Sequence, residues 1–114
     1  MADLEGQPFV AFEPGSAIRQ IIDNGLRIAG VQIDVVMELR SIPSILRMVA
    51  TTGSLAFVSR VSLAAEPDLR PVPVRGLTIS RGLGLATRHG IPLSAAAEAF
   101  ARLLRRRSTS ESQR

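Results

Sequence analysis

Residues 9–30 read FVAFEPGSAIRQIIDNGLRIAG, and this stretch contains the unit from which the fold is built. The apolar run at 9–12 predicts a buried strand, and the turn-forming residues 13–15 end it. Ser16 is a favourable helix N-cap. Apolar residues then recur at helical spacing as far as Gly30, which is typical of a helix C-terminus. The local order is therefore strand, loop, helix.

The same unit follows again further along the chain. Residues 33–39, IDVVMEL, predict a second strand that is apolar on both faces, and a helix follows with Ser41 as its cap and Gly53 at its end. Residues 55–58, LAFV, predict a third strand, and a short helical turn is expected at 61–65. Apolar strands that alternate with helices indicate an α/β fold, an open and mostly parallel βαβαβ sheet with helices on both faces.

The last third of the chain has a different pattern. Residues 69–75 alternate in polarity, but two prolines restrict them to an edge strand or a linker. Residues 77–86 predict a returning strand with one apolar and one small-residue face. Its apolar face comprises Leu77, Ile79, Leu83 and Leu85. A final helix is expected from Ser94, with three arginines in its last turn. Its apolar stripe comprises Ala97, Phe100, Leu103 and Leu104.

The composition argues against an enzyme and against a metal site. The 114 residues include no cysteine, no lysine and one histidine, so a transition-metal cluster, a thiol nucleophile and a Walker-type phosphate loop all lack their residues. Asp34 and Glu38 are too far apart along one strand to act as a pair. We interpret His89 as an exposed turn residue. No catalytic residue, cofactor or metal is predicted.

The basic charge of the chain is confined to one end. Residues 1–98 contain nine arginines and nine acidic residues, so the net charge of +4 lies in the last 16 residues. A neutral body is not the basic surface that DNA binding requires. No apolar stretch is long enough to cross a membrane, and the first residues do not resemble a signal peptide. We therefore expect a cytoplasmic protein.

Three loops are predicted to meet at one edge of the sheet, because ligands of open α/β sheets bind beyond the carboxyl ends of the strands. Two of these loops lead into helix N-termini, which attract anions. Ser16 and Ser41 have alternative roles: they cap their own helices, donate hydroxyls to a ligand, or do both. The pattern predicts a small polar or anionic ligand. The candidate site residues are Glu13, Pro14, Gly15, Ser16, Arg40, Ser41, Ser59 and Arg60.

Over residues 7–104 the chain resembles the C-terminal part of the effector-binding domain of LysR-type transcriptional regulators. The segments that carry the resemblance are QPFVAFEPGSAIRQIIDNGLRIAG, VVMELRSIPSILRMVATTGSLAFVSR, LRPVPVRGLTISRGLGLATRHG and LSAAAEAFARLL. It implies a lobe like that of type 2 periplasmic binding proteins. Residues 7–76 would form the second effector-binding subdomain, and 77–107 the returning strand and last helix of the first. Residues 1–6 would be a lead, and 108–114 a disordered basic tail.

The resemblance also implies a function. The chain would be the effector-sensing fragment of a homo-oligomeric regulator, without the winged helix-turn-helix through which the full-length protein contacts DNA. The candidate loops match the positions that face the effector in this family. Because half of that site would be missing, weak effector binding is expected, and residues 77–104 are expected to associate with a second copy. The alternative function is a solute-binding lobe of a periplasmic-type binding protein without catalytic activity.

Overall fold

The computed structural model describes the backbone of residues 2–112 and the side chains of residues 3–107. Two strands and three helices form in the order β1 (Pro8–Phe12), α1 (Ala17–Ala29), β2 (Asp34–Leu39), α2 (Ile42–Thr52) and α3 (Ala95–Ser112). Short 3-10 helices occupy Ala2–Leu4 and Arg60–Ala65. The chain divides into two compact units, residues 1–81 and 82–114. The first unit contains the sheet and its two flanking helices.

Strand β1 is the centre of the first unit. It pairs in parallel with β2, from Pro8 opposite Asp34 to Phe12 opposite Leu39, with an irregularity between Phe9 and Val10. The side chains of Phe9 and Val10 are both buried, although neighbouring residues in a strand point to opposite faces. Both faces of β1 are therefore covered, as predicted. The buried core of this unit comprises Leu4, Phe9, Val10, Phe12, Ile22, Leu26, Val31 and Ile45.

The predicted third strand is reduced to one bridge. Leu55 lies beside Phe9 in parallel, and its N–H and C=O bond to the C=O of Pro8 and the N–H of Val10 at 3.0 and 2.9 Å. Residues 56–58 make no further bridge among the described residues. The predicted strand over 55–58 is therefore too long, and the βαβαβ unit ends in a single bridging residue. The strand order is still β2–β1–Leu55, so the crossover from β1 to β2 and the crossover from β2 to Leu55 run in opposite directions across the sheet. Right-handed crossovers place α1 and α2 on opposite faces of such a sheet.

The prediction that β2 is covered on both faces is wrong. β2 pairs only with β1 among the described residues, and Val36 and Met37 are 54% and 37% exposed. The apolar run reads as a central strand, but β2 lies at the edge of the sheet. Apolar composition alone does not distinguish these positions, because it shows which residues favour burial and not what is available to cover them.

The predicted beginnings and ends of both helices in the first unit are confirmed. Ser16 and Ser41 cap α1 and α2, and each side chain accepts a hydrogen bond from the backbone N–H three residues later. Gly30 and Gly53 end the helices in the left-handed conformation, with φ of 72° and 74°. Because a side chain at positive φ is strained, glycine is the expected residue at both positions.

The returning strand is absent from the described structure. Residues 69–86 are not assigned to a strand, and 77–86 make no hydrogen bond that would join them to one. The predicted apolar face is also divided. Leu77 and Ile79 pack against the core of the first unit, whereas Leu83 and Leu85 are 87% and 54% exposed in the second. Alternation indicates the spacing of a strand, but a strand also needs a hydrogen-bonding neighbour.

The final helix begins as predicted and is longer than predicted. The Ser94 hydroxyl accepts a hydrogen bond from the N–H of Ala97 at 3.2 Å, and α3 continues to Ser112. The three arginines at 105–107 therefore precede the last turn, and the predicted tail is helical over 108–112, with 113–114 outside the described residues. Phe100 and Leu103 of the apolar stripe are 59% and 51% exposed.

Close packing of Gly25 against Ile79 gives a testable contact within the first unit. A Cβ built on Gly25 would lie 2.7 Å from Cγ1 of Ile79, which is too close for an ordinary contact. Alanine in a helix interior normally stabilises by about 1 kcal/mol relative to glycine. We expect Gly25→Ala to lose that gain here and to recover it in the Ile79→Ala background. Urea unfolding of both single variants and the double variant measures the coupling, and equal effects of Gly25→Ala in the two backgrounds would contradict the contact.

Candidate functional site

The carboxyl ends of β1 and β2 lie side by side, and their loops are joined by an ion pair. The N–H of Glu13 bonds to the C=O of Leu39 at 3.1 Å, which continues the pairing beyond the end of β1. Nε of Arg40 donates to Oε2 of Glu13 at 2.8 Å. The side chain of Arg40 is 85% exposed and that of Glu13 is 43% exposed. Two of the predicted site residues therefore bind each other across the edge of the sheet.

The loop between β1 and α1 is held by Ser16. The Ser16 hydroxyl donates to the C=O of Glu13 at 2.9 Å and accepts from the N–H of Arg19 at 3.2 Å. Pro14 and Gly15 are exposed, and Gly15 has φ of 88°. Of the two roles left open for Ser16, the structure shows capping. Its proton and one of its two oxygen lone pairs are used within the loop.

The two helix N-termini offer different numbers of donors. Ser41 donates to the Ser44 hydroxyl at 2.7 Å and accepts from its N–H at 3.3 Å, so it also acts as a cap. In α1 the N–H groups of Ala17 and Ile18 have no acceptor among the described residues. In α2 only the first residue retains such an N–H, because proline at the second position has none. The start of α1 thus offers one more unsatisfied N–H group than the start of α2.

Ser59 and Arg60 form the third predicted loop. Ser59 is half-buried and makes no capping hydrogen bond to the 3-10 helix that begins at Arg60. Arg60 is exposed and has no ion pair among the described residues. Neither residue hydrogen-bonds to Glu13 or Arg40. These two polar side chains remain available for a ligand, whereas those of Ser16 and Ser41 are engaged.

Arg19 is a residue of this edge that sequence reasoning missed. Its Nη1 donates to the C=O of Phe12 and to Oε2 of Glu38, both at 2.7 Å, and its Nε donates to both carboxylate oxygens of Asp23 at 3.0 and 3.1 Å. The side chain is only 16% exposed. The hydrogen bond with Glu38, supported by Asp23, raises the pKa of Arg19 above its ordinary value although burial opposes this. Arginine is protonated in any case, and these hydrogen bonds connect α1 to the ends of β1 and β2.

Asp23 has two arginines at the spacing of an ion pair on the helix surface, Arg19 four residues before it and Arg27 four residues after it. It pairs with Arg19. Arg27 instead donates to the side chain of Asn24 at 3.1 Å. The two spacings are equivalent along a helix. Only Arg19 also reaches Glu38 and the end of β1, which is why the tertiary structure selects it.

The remaining sequence candidates for chemistry stay apart from this edge. His89 lies exposed in a turn of the second unit, as interpreted from the sequence. No group of three or more histidines or carboxylates able to hold a metal ion occurs among the described residues. Within the residues that the structure describes, no helix is long and apolar enough to cross a membrane. The sheet edge offers backbone N–H groups, hydroxyls and guanidinium groups, which are donors suited to an oxyanion.

Comparison with known proteins gives the family. The model of the LysR substrate binding domain matches residues 1–109. A curated relative, the phosphonates import ATP-binding protein PhnC of Anaeromyxobacter dehalogenans strain 2CP-C, is 36% identical over 106 residues, 86% of this chain and 21% of that protein. This chain therefore spans about a fifth of that relative. No solved structure gives a significant match. On the family match over nearly its whole length, this chain belongs to the LysR substrate binding domain family.

Proposed function

We propose that this chain senses a small anionic effector for a LysR-type regulator and binds it at the carboxyl edge of its sheet. The family supports an effector-binding role in such a regulator. The observation that carries the location is the strand order β2–β1–Leu55, in which the connection from β1 to β2 and the connection from β2 to Leu55 run in opposite directions across the sheet. Such a switch point creates a crevice beyond the carboxyl ends of the strands, and ligands of open α/β sheets bind there.

The donors around the switch point support an anionic ligand. The unpaired N–H groups of Ala17 and Ile18 lie at the positive end of a helix of 13 residues. Arg40 directly follows β2, and Ser59 and Arg60 follow the bridging residue Leu55. The Ser59 hydroxyl makes no capping hydrogen bond. In this proposal the effector's oxyanion accepts from the α1 N-terminus and contacts these side chains. Glu13, Pro14, Gly15, Ser16 and Ser41 shape the two loops that surround it.

A phosphonate is a suitable first probe of this site. A relative named for phosphonates import is 36% identical to most of the chain. A phosphonate has three oxygens that accept several hydrogen bonds at once, which matches a cluster of N–H and guanidinium donors. Methylphosphonate carries this group with the least additional structure. It therefore tests the anion site separately from the specificity for any particular effector.

We also propose which subdomains the chain forms and what kind of regulator contains them. Residues 7–76 would form the second effector-binding subdomain and 77–107 a part of the first, within a homo-oligomeric cytoplasmic regulator that contacts DNA through a winged helix-turn-helix outside residues 1–114. The neutral charge of residues 1–98 supports a separate DNA-binding part. The apolar residues exposed in 82–104 support association with a further apolar surface.

An NMR titration of the full chain with methylphosphonate tests the site. We expect saturable shifts of the amide signals of Ala17, Ile18 and Ile42. The amide of Gly6, which precedes the opposite edge of the sheet, should not move. Ser16→Asp keeps a good N-cap but adds a negative charge at the site. It should weaken binding about tenfold or more, since a like charge a few ångströms away opposes the anion.

Ser16→Thr is the matched control, because it keeps both the cap and the neutral charge. It should bind methylphosphonate within about twofold of the unchanged chain, since a change of this size is only a few tenths of a kcal/mol. Glycerol is the neutral probe and should produce no saturable shift. Saturable shifts confined to other parts of the chain, or equal binding by Ser16→Asp and Ser16→Thr, would reject this location of the site.

A further inference from the structure

Glu13 is the only carboxylate that forms an ion pair with a predicted ligand-binding arginine among the described residues. Its Oε2 lies 2.8 Å from Nε of Arg40, which is the distance at which a ligand's oxyanion would bind the same nitrogen. One oxygen of Glu13 therefore occupies the place of a ligand oxygen. Both side chains are open to solvent, at 43% and 85% exposure, so an external anion can reach the pair.

We propose that Glu13 is an intramolecular competitor of the effector, so that an anion bonds to Nε of Arg40 only by displacing this carboxylate. This inference rests on the proposed function, since it concerns regulation of the same site. The backbone is arranged to keep Glu13 beside Arg40. Its N–H is bound to Leu39 and its C=O to the Ser16 hydroxyl, so the residue is held at both of its backbone groups while its side chain can move.

Because of this competition, a ligand must gain more interaction free energy at Arg40 than the pair of Arg40 with Glu13 provides. A weak single anion gains one ion pair with Arg40 and loses the pair between Arg40 and Glu13, so it gains little. A ligand with several oxyanion groups, or one that also carries a cationic group for Glu13, recovers the loss. Glu13 is thus a specificity-determining residue that disfavours small inorganic anions. An exposed ion pair has a small free energy, so the effect on binding is limited to a factor of about five.

The test compares inorganic phosphate binding by NMR titration in five forms of the 114-residue chain: the unchanged chain, three single variants and one double variant. Glu13→Gln removes the competitor and should tighten phosphate binding about two- to fivefold. Glu5→Gln is the matched control: it removes the same charge from an exposed residue before β1, at the opposite edge of the sheet. It should leave phosphate affinity within about 1.5-fold, because a distant exposed charge is screened by salt.

A double-mutant cycle separates competition from simple charge repulsion. With Arg40→Gln as background, adding Glu13→Gln should give no further gain, because the carboxylate then has no arginine to occupy. An equal gain with and without Arg40 would overturn the competition while leaving the anion site intact. Equal phosphate affinity of the unchanged chain and Glu13→Gln would also overturn it. If no variant, including Glu13→Gln, shows a saturable shift at Ala17 or Ile18, both the competitor and the proposed site are rejected.

Discussion

Replacing Ile45 by alanine is expected to lower the free energy of unfolding of the first unit by about 3–4 kcal/mol. Ile45 in α2 is fully buried, with an exposed fraction of 0%, and belongs to the cluster that covers β1. Removing three carbons from such a site loses their burial and leaves a cavity that neighbours fill only partly. A domain of this size has a total stability of only about 5–15 kcal/mol, so the loss is a large fraction. Urea unfolding followed by circular dichroism measures it.

Ile28→Ala is the matched control for this core prediction. Ile28 lies in α1 and its side chain is 83% exposed, so the same change of chemistry removes almost no buried surface. We expect an effect within about 0.5 kcal/mol, the usual size at exposed positions. Similar losses for Ile45→Ala and Ile28→Ala would show that α2 does not pack on β1 as described. If Ile45→Ala is unfolded without denaturant, the milder Ile45→Val gives the same ranking at about 1 kcal/mol.

Replacing Arg19 by methionine is expected to cost about 2 kcal/mol of stability. Methionine keeps most of the aliphatic length but removes every donor. The C=O of Phe12 then loses its hydrogen bond to Arg19, and the carboxylates of Asp23 and Glu38 lose the cation between them. A hydrogen bond to a charged group contributes about 1.5–3 kcal/mol, and the half-exposed carboxylates recover part of this from water. Thermal or urea unfolding of the variant gives the value.

Arg27→Met provides the comparison within the same helix. Arg27 is exposed, and its described side-chain bond is a single one to Asn24. Its replacement should change stability by about 0.5 kcal/mol or less. The Arg19→Met variant should also shift the amide signal of Glu13, since Arg19 holds the preceding carbonyl, whereas Arg27→Met should not. Equal stability losses in the two variants would mean that Arg19 does not connect the strand ends.

The candidate site shows where sequence reasoning succeeds and where it stops. That Glu13 and Arg40 would share one edge was predictable, because consecutive parallel strands place their carboxyl ends together. That they bind each other was not, since their contact spans 27 residues and depends on the register of β1 and β2. The roles of Ser16 and Ser41 were left open for the same reason. A serine before a helix favours a cap, but only the structure shows that both hydroxyls are engaged.

Arg19 and Asp23 show a second limit of sequence reasoning. On the helix, Asp23 has an arginine four residues before it and another four residues after it, and local spacing treats them alike. Glu38 on β2 forms an ion pair with Arg19, and this contact places Arg19 rather than Arg27 beside Asp23. Long-range contacts of this kind have no periodic signal in the sequence. Only the tertiary structure therefore reveals them.

The sequence alone determined the local structure of the first unit, because its causes are local: a capping serine before each helix, a glycine after each helix, and the 3.6-residue repeat of apolar side chains between them. It also indicated the parallel order and the family. Only the tertiary structure decided that β2 is an exposed edge, that Leu55 makes a single bridge and that 77–86 form no strand. A strand exists only where a neighbour accepts its hydrogen bonds, and that neighbour is a property of the whole fold.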